Sequence, residues 1–304
     1  MTPVVARAPA KLNLALHVGP LRTDGFHEIA IVYQAVDLYD EVTAEAGPDG
    51  VVSVETRDGA GGPVAGVDDD ERNLAVRAAL ALQSRLGVRD GVHLRVRKQI
   101  PVAGGMAGGS ADAAAALVAC NRLWGLGADA SMLAELAAGL GSDVPFALLG
   151  GTAVGTGRGE RLVPVAAGRT SWVVVTSPLG LSTAEVYAET DRQLVDVSPP
   201  AVNPALVAAL EREDLAAAAP LLHNDLQPAA LRFRPTLAAI IDAGRDAGAV
   251  AGLLTGSGPT VVLLAPAETS AEALADTVRP RVRALDADAE VRVVHGPVRG
   301  AELC

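Results

Sequence analysis

Apolar and polar positions alternate, or run apolar with β-branched residues, over 3–18, 28–45, 51–56 and 93–100, the two-residue period of strands. The period lengthens to that of helices over 74–86 (LAVRAALALQSRL), 111–124 (ADAAAALVACNRLW) and 131–140 (SMLAELAAGL). Asn73 stands where it can cap the first of these helices, and Gly87 ends it. Gly125-Leu126-Gly127 ends the second; it fits the loose form of a dinucleotide fingerprint but follows a helix and not a strand, so it reads as a helix stop. Further strands fall near 152–166 and over 172–177 (WVVVTS), then at 249–254, 260–265 and 290–295. Helices fall near 203–212, 226–232, 236–248 and 268–284. Strands and helices mix without regular βαβ alternation. The pattern therefore predicts an α+β chain in two lobes and not a doubly wound sheet. The texture changes near 160–172, which divides the chain into 1–165 and 166–304.

Composition narrows this picture. Half of the 304 residues are apolar, which excludes a disordered chain. Acidic residues outnumber basic ones 36 to 25, so the net charge of −11 argues against a nucleic-acid or anionic-membrane partner. Cys120 reads as a small buried hydrophobe; with only Cys304 besides, no disulfide framework forms, and a reducing cytoplasm is the expected setting. Arg7 and Lys11 interrupt the N-terminal apolar stretch, which is not a signal peptide. The uncharged run 247–267 carries TGSGP in its middle and reads as strand, tight loop and strand, not as a membrane helix. With two Trp, three Tyr and three Phe, the cores must be aliphatic. Lys11 and Lys98 are the only lysines, which asks whether a compact ammonium is needed at either position.

Four segments carry candidate chemistry. The strongest is strand, then Pro101-Val102-Ala103-Gly104-Gly105-Met106-Ala107-Gly108-Gly109-Ser110, then helix. Glycines let a backbone close on a bulky anion, and the following helix adds its positive end. Ser110 stands where a Walker A loop requires Lys, so this is a phosphate cradle of another kind. In the second segment, Lys11 and Asn13 share one strand face, as a polar-ligand site or as a solvated edge. In the third, Asp143 lies between helix breakers and an apolar run, and two roles fit it: a helix cap or a general base. The fourth, Thr255-Gly256-Ser257-Gly258-Pro259-Thr260, is a plain turn or a second anion-facing loop. The run Asp68-Asp69-Asp70-Glu71 reads as a solvated loop and not a metal site. His17, His27, His93, His223 and His295 show no metal-ligand spacing.

In their joint order, over about residues 7–265, these segments resemble the GHMP superfamily of small-molecule kinases. APAKLNLALHV, DGFHEI, LGSDVPF and HNDLQP at 223–228 resemble its branch that acts on an alcohol linked to cytidine diphosphate. The resemblance implies an N-terminal lobe like the second domain of ribosomal protein S5 and a ferredoxin-like C-terminal lobe. It implies ATP with Mg2+ as cofactors, without naming the metal's ligands. Asn73, Leu74 and the loop from Pro101 through Ser110 to Ala111 would hold the ATP. Lys11 and Asp143 match the catalytic pair: Asp143 takes a proton from the substrate hydroxyl, and Lys11 orients it and keeps it ionised. Phe26, His27 and Tyr187, with Asn13, match the positions that hold a cytidine diphosphate-linked methylerythritol. Two departures stand out. Phe26 replaces a more usual Tyr, and Ala111-Asp112 removes a hydroxyl and adds a charge near the phosphates. A nucleotide sensor without catalysis and a kinase for another alcohol are the alternatives; ADP release with and without the cytidyl alcohol tests the first, and competition by a cytidine nucleotide tests the second.

Overall fold

Alternate residues over 36–44 and 92–98 bury one face of their strands, whereas 8–16, 29–36, 170–176 and 261–264 are buried at every position, covered on both faces. The computed structural model describes residues 2–193, 199–267 and 270–304. β1 (Val4–Leu21) and β2 (His27–Gly47) form a long antiparallel ribbon from Val4↔Ala44 to Leu21↔His27, with irregularities after Pro9, Asn13 and Val18. β3 (Val52–Asp58) lies parallel to β4 (Gly91–Lys98), which pairs with one end of β2. β5 (Thr152–Thr156) pairs with the other end and carries β6 (Arg161–Val165). Four helices complete this part: α1 (Leu74–Leu86), α2 (Gly108–Leu123), α3 (Ala130–Leu140) and α4 (Val144–Leu149). α2 carries six alanines among its 16 residues and is buried on nearly every side, against α1, β1 and β2; small side chains let it sit this close to the sheet.

The second sheet consists of β7 (Thr170–Thr176), β9 (Ala251–Leu254), β10 (Val261–Leu264) and β11 (Glu290–Gly296). Its order is β11-β7-β10-β9, all antiparallel, and α9 (Thr236–Asp246) and α10 (Ala271–Leu285) pack against it. Numbered within this sheet the order is 4-1-3-2, that of a ferredoxin-like lobe. Between β7 and α9 lie α5 (Thr183–Gln193), α6 (Pro204–Glu211), α7 (Leu215–Ala218), the two-residue β8 (His223–Asn224) and α8 (Gln227–Phe233). β8 does not join the second sheet. It pairs parallel with β1, as Ala15↔His223, and β12 (Glu302–Leu303) pairs antiparallel with the start of β1. Trp172, Tyr33 and Phe146 are the largest fully buried side chains; otherwise both cores are aliphatic.

The architecture is thus α+β in two lobes, as the pattern predicts. Several details differ. α2 starts at Gly108, three residues before the expected Ala111, because Ala107 takes a left-handed conformation that turns the chain into the helix. Gly108 is tightly packed: a Cβ there would lie 3.0 Å from Lys98 Nζ and 3.2 Å from Ile100 Cγ2. The six-residue α4, α5 and the four-residue α7 were not expected; α4 and α7 are too short to show a period. The last helix starts at Ala271, and residues 268 and 269 of its expected range lie outside the described residues. The run 247–267 is β9, a tight turn and β10, and no helix among the described residues is long and apolar enough to cross a membrane. Asp68 and Asp70 are exposed and pair with Arg72. Cys120 is buried and Cys304 exposed, both free thiols.

Candidate active site

Two cavities open side by side. The larger, about 670 Å3, is lined by Lys11, Asn13, Phe26, His27, Tyr33, Asp143, Arg158, Tyr187 and their neighbours. The smaller, about 370 Å3, is lined by Asn73, Leu74, Lys98, Asp112 and most of the glycine-rich loop. Gly105 borders both.

Strand period brings Lys11 and Asn13 together: Lys11 Nζ donates to Asn13 Oδ1 at 2.7 Å. The ammonium lies 4.0 Å from Asp143 Oδ2. Burial pulls the Lys11 pKa below the usual lysine value, and the Asp143 charge opposes this. Asp143 occupies the N-cap position of α4, yet its side chain makes no capping hydrogen bond. Instead Tyr33 donates its phenol proton to Asp143 Oδ1 at 2.9 Å. Tyr33 is buried and stacked on Phe146, with ring centroids 4.6 Å apart. Burial, then the Asp143 charge, pushes its pKa well up, so it stays a donor. One oxygen of Asp143 is therefore held by a phenol while the other faces the ammonium. Its side chain is 30% exposed, in the wall of the cavity. Such a carboxylate can accept a proton from a hydroxyl placed there.

The glycine-rich loop is held at both ends by a buried ion triad. Lys98 Nζ, at the end of β4, pairs with Asp40 and, at 2.7 Å, with Asp112 on α2. Asp40 Oδ1 also accepts the backbone N–H groups of Gln99 (2.6 Å) and Ile100 (2.9 Å). Burial raises the Asp112 pKa and the Lys98 charge opposes it. The loop between these anchors turns through left-handed residues at Ala103, Gly105 and Ala107. For the two alanines this costs of order 1–3 kcal/mol each; backbone that alternates in this way can turn successive N–H groups to one side, the geometry of an anion-binding concavity, here beside the start of α2. A Cβ on Gly105 would lie 2.3 Å from the Thr255 carbonyl oxygen, so the loop rests directly on the 255–260 turn. That turn also supplies Thr255 Oγ1, which accepts the Asn13 N–H at 3.0 Å.

The sequence-derived residues are distributed as follows. Pro101, Val102, Ala103, Gly104, Gly105, Ala107, Gly108 and Gly109 line the smaller cavity with Asn73 and Leu74. Met106 and Ala111 are wholly buried in the core, and Ser110 is half-buried and is not among the lining residues. The Asn73 side chain is engaged as the α1 cap, accepting from Ala75 N–H at 2.9 Å and donating to the Asp68 carbonyl at 3.0 Å. In the larger cavity Phe26 is 48% exposed, with the Arg158 guanidinium 4.9 Å above its ring. His27 and Tyr187 stack at 5.0 Å, and His27 Nε2 lies 2.8 Å from Asp191 Oδ1. Burial, with Asp143 and Asp191 nearby, pushes the Tyr187 hydroxyl to about 12. Sequence reasoning missed Tyr33, Arg158, Asp191 and the Lys98 triad. The rarity of lysine was the signal for Lys98, and strand register was a signal for Tyr33, which pairs opposite Asn13.

Comparison with known proteins gives a consistent picture. Residues 73–151 match the family described as GHMP kinases N terminal domain, and residues 206–282 match GHMP kinases C terminal. A 4-diphosphocytidyl-2-C-methyl-D-erythritol kinase of Salinispora tropica is 51% identical over 99% of this chain and 94% of its own length. The enzyme of that name from Kineococcus radiotolerans is 54% identical over 91% and 86%. The crystal structure of a 4-(cytidine 5'-diphospho)-2C-methyl-D-erythritol kinase superposes with a TM-score of 0.74 at 32% identity, covering 97% of this chain and 100% of that one. A homoserine kinase from Cytophaga hutchinsonii superposes at 0.77 with 18% identity, covering 100% and 98%, which speaks for the fold alone.

Proposed function

The chain belongs to the GHMP kinases, and from that premise we propose that it transfers the γ-phosphoryl group of ATP to the 2-hydroxyl of 4-diphosphocytidyl-2-C-methyl-D-erythritol, giving the 2-phosphate and ADP in isoprenoid precursor synthesis. The observation that carries this reading is the meeting of the two cavities at Gly105, with Asp143 and Lys11 on the larger side. ATP occupies the smaller cavity with its phosphates against the loop 101–109. The alcohol occupies the larger one, its cytosine held among Phe26, His27 and Tyr187. Asp143 Oδ2 accepts the proton of the attacking hydroxyl, and Tyr33 holds the other carboxylate oxygen so that the base keeps one orientation. Lys11, fixed by Asn13, sets a positive charge beside the base and the transferring group. Mg2+ fits the donor chemistry of the smaller cavity: Asp112 borders it, and its buried Oδ1 has no hydrogen-bond partner, so this hard oxygen would hold the ion. The ion supplies neutralisation of phosphate charge when bound.

We place the lobe boundary at 165/166, between β6 and β7, and the reaction in the cytoplasm, in keeping with two free thiols. The test is ADP release with and without the cytidyl alcohol, followed by phosphorus NMR of the product. ADP release that requires the cytidyl alcohol, with the new phosphate on the 2-hydroxyl, is expected. Release that depends on homoserine or mevalonate instead, or no release at all, would refute the reading.

A further inference from the structure

On β1, Leu16 lines the larger cavity, and the next residue, His17, does not. β8 runs beside it, with Leu16 paired to Asn224, and Asp225 closes the junction. Asp225 N–H donates to the Leu16 carbonyl at 2.9 Å, and Asp225 Oδ2 accepts the Val18 N–H at 2.8 Å. This parallel pairing brings together residues about two hundred positions apart. His17 Nδ1 lies 3.9 Å from Asp225 Oδ2, and His223 Nε2 lies 2.6 Å from Asp225 Oδ1. The two imidazoles stack with centroids 4.9 Å apart. One ligand atom from each of the three residues falls within 4.8 Å of the other two. The histidines show no metal-ligand spacing along the chain; the fold supplies the spacing that the sequence lacks.

We propose that His17, His223 and Asp225 form a binding site for a divalent cation of the zinc class, with water in the open position. Two imidazole nitrogens and one carboxylate suit zinc or its transition-metal neighbours, and not Mg2+, which takes oxygen ligands. Zinc bonds of about 2.0–2.2 Å in tetrahedral array need donors roughly 3.3 Å apart, and the observed spacings bracket that value. The ion takes the place of the hydrogen between His223 Nε2 and Asp225 Oδ1; the neutral ring carries its one proton on Nδ1 instead, so Nε2 offers a lone pair and no proton is released. Each ring turns about its Cβ–Cγ bond out of the stack to aim a lone pair at the ion. His223 is half exposed and has room to do so. The carboxylate needs no reorganisation, because the Val18 amide already fixes it. The site also has a structural reach. Asn224, between two of the ligands, donates to the carbonyls of Leu254 and Gly256, both at 2.8 Å, and Gly256 borders the larger cavity. A bound ion therefore braces β8, β1 and the 255–260 turn as one unit.

The experiment is calorimetric titration of the chelator-stripped full chain with Zn2+, with Mg2+ as the contrast, alongside thermal unfolding. One equivalent of Zn2+ is expected to bind and to raise the unfolding temperature, with no such effect of Mg2+. His17→Ala and His223→Gln should each weaken Zn2+ binding at least tenfold and abolish the thermal shift. ADP release without zinc, unchanged in both variants, reports that they are folded. Co2+ should give tetrahedral absorption in the parent chain and not in His223→Gln. The His27–Asp191 pair offers zinc a competing place, so His27→Ala is the control. Binding that survives both ligand variants, or that is lost in His27→Ala alone, overturns the site.

Discussion

The smaller cavity takes half of its lining residues from one stretch of chain, 101–109, and presents backbone there; the larger takes Lys11 and Asn13 from β1, Phe26 from the turn before β2, His27 from the start of β2, Asp143 from before α4 and Tyr187 from α5, and presents side chains. They also carry strain differently. In the loop the cost sits in left-handed backbone at Ala103 and Ala107, offset by the Lys98 triad that pins both ends. In the larger cavity it sits in a buried ammonium whose carboxylate lies 4.0 Å away. A cradle made of backbone is broken by adding atoms, and a pocket made of side chains is broken by removing them.

The largest expected effect is on the side-chain wall. Asp143→Asn should lower kcat by about 10²–10⁴ while both substrates still bind. A cap would accept Asn nearly as well as Asp, so steady-state turnover close to the parent level would return Asp143 to a purely structural role. Next comes the backbone wall. Gly105→Val puts a branched side chain where even a Cβ meets the Thr255 carbonyl at 2.3 Å, at a φ of 74°. The ATP KM should rise at least tenfold, an effect of about 1.4 kcal/mol or more, while equilibrium binding of the cytidyl alcohol changes less. Equal losses for both ligands would erase the contrast between the two walls. Phe26→Ala should weaken the cytidyl alcohol about tenfold to a hundredfold, since stacking on an aromatic is worth roughly 1–3 kcal/mol per base. Phe26 is half exposed, so the unfolding temperature should stay near that of the parent; a large drop would mark the ring as core.

The smallest effect is on stability. The pKa of Lys11 is lowered in the folded chain, so the unfolded chain binds its proton more readily. Below the folded value the burial cost is complete, and it is relieved as pH rises toward the ordinary lysine value of 10.5. Lys11→Met should therefore be inactive yet more stable at pH 7, by about 0.5–2 kcal/mol. That advantage should shrink between pH 7 and 10 in urea denaturation. An advantage that is flat with pH would show that the Lys11 charge is not strained.

The same contrast explains what could be read from the sequence. The loop was legible because its chemistry is contiguous: the glycines, the strand before and the helix after are neighbours in the chain. Lys11 with Asn13 was legible because a two-residue period needs no tertiary information. Asp143 stayed open between two roles because the choice depends on Tyr33, more than a hundred residues away, which holds its carboxylate from β2. Arg158 over Phe26 and Asp191 beside His27 left no local mark, since each meets its partner only when separate elements converge. α2 misled by three residues because glycine usually signals a turn, and here Gly108 and Gly109 sit in a first helical turn, where Gly108 packs closely on Lys98 and Ile100.

The first sheet keeps time with synthesis. β1 is made well before several of its partners: residues 6 and 7 pair with Leu303 and Glu302, and residues 15 and 16 with His223 and Asn224. At roughly 5–20 residues per second, about 15–60 s separate the appearance of β1 from that of its last partner. During that interval β1 has β2 on one side and an open edge on the other. An open edge invites pairing with a foreign strand, and contacts so distant in the chain slow the final closure. The strand that carries Lys11 is thus made long before it is enclosed.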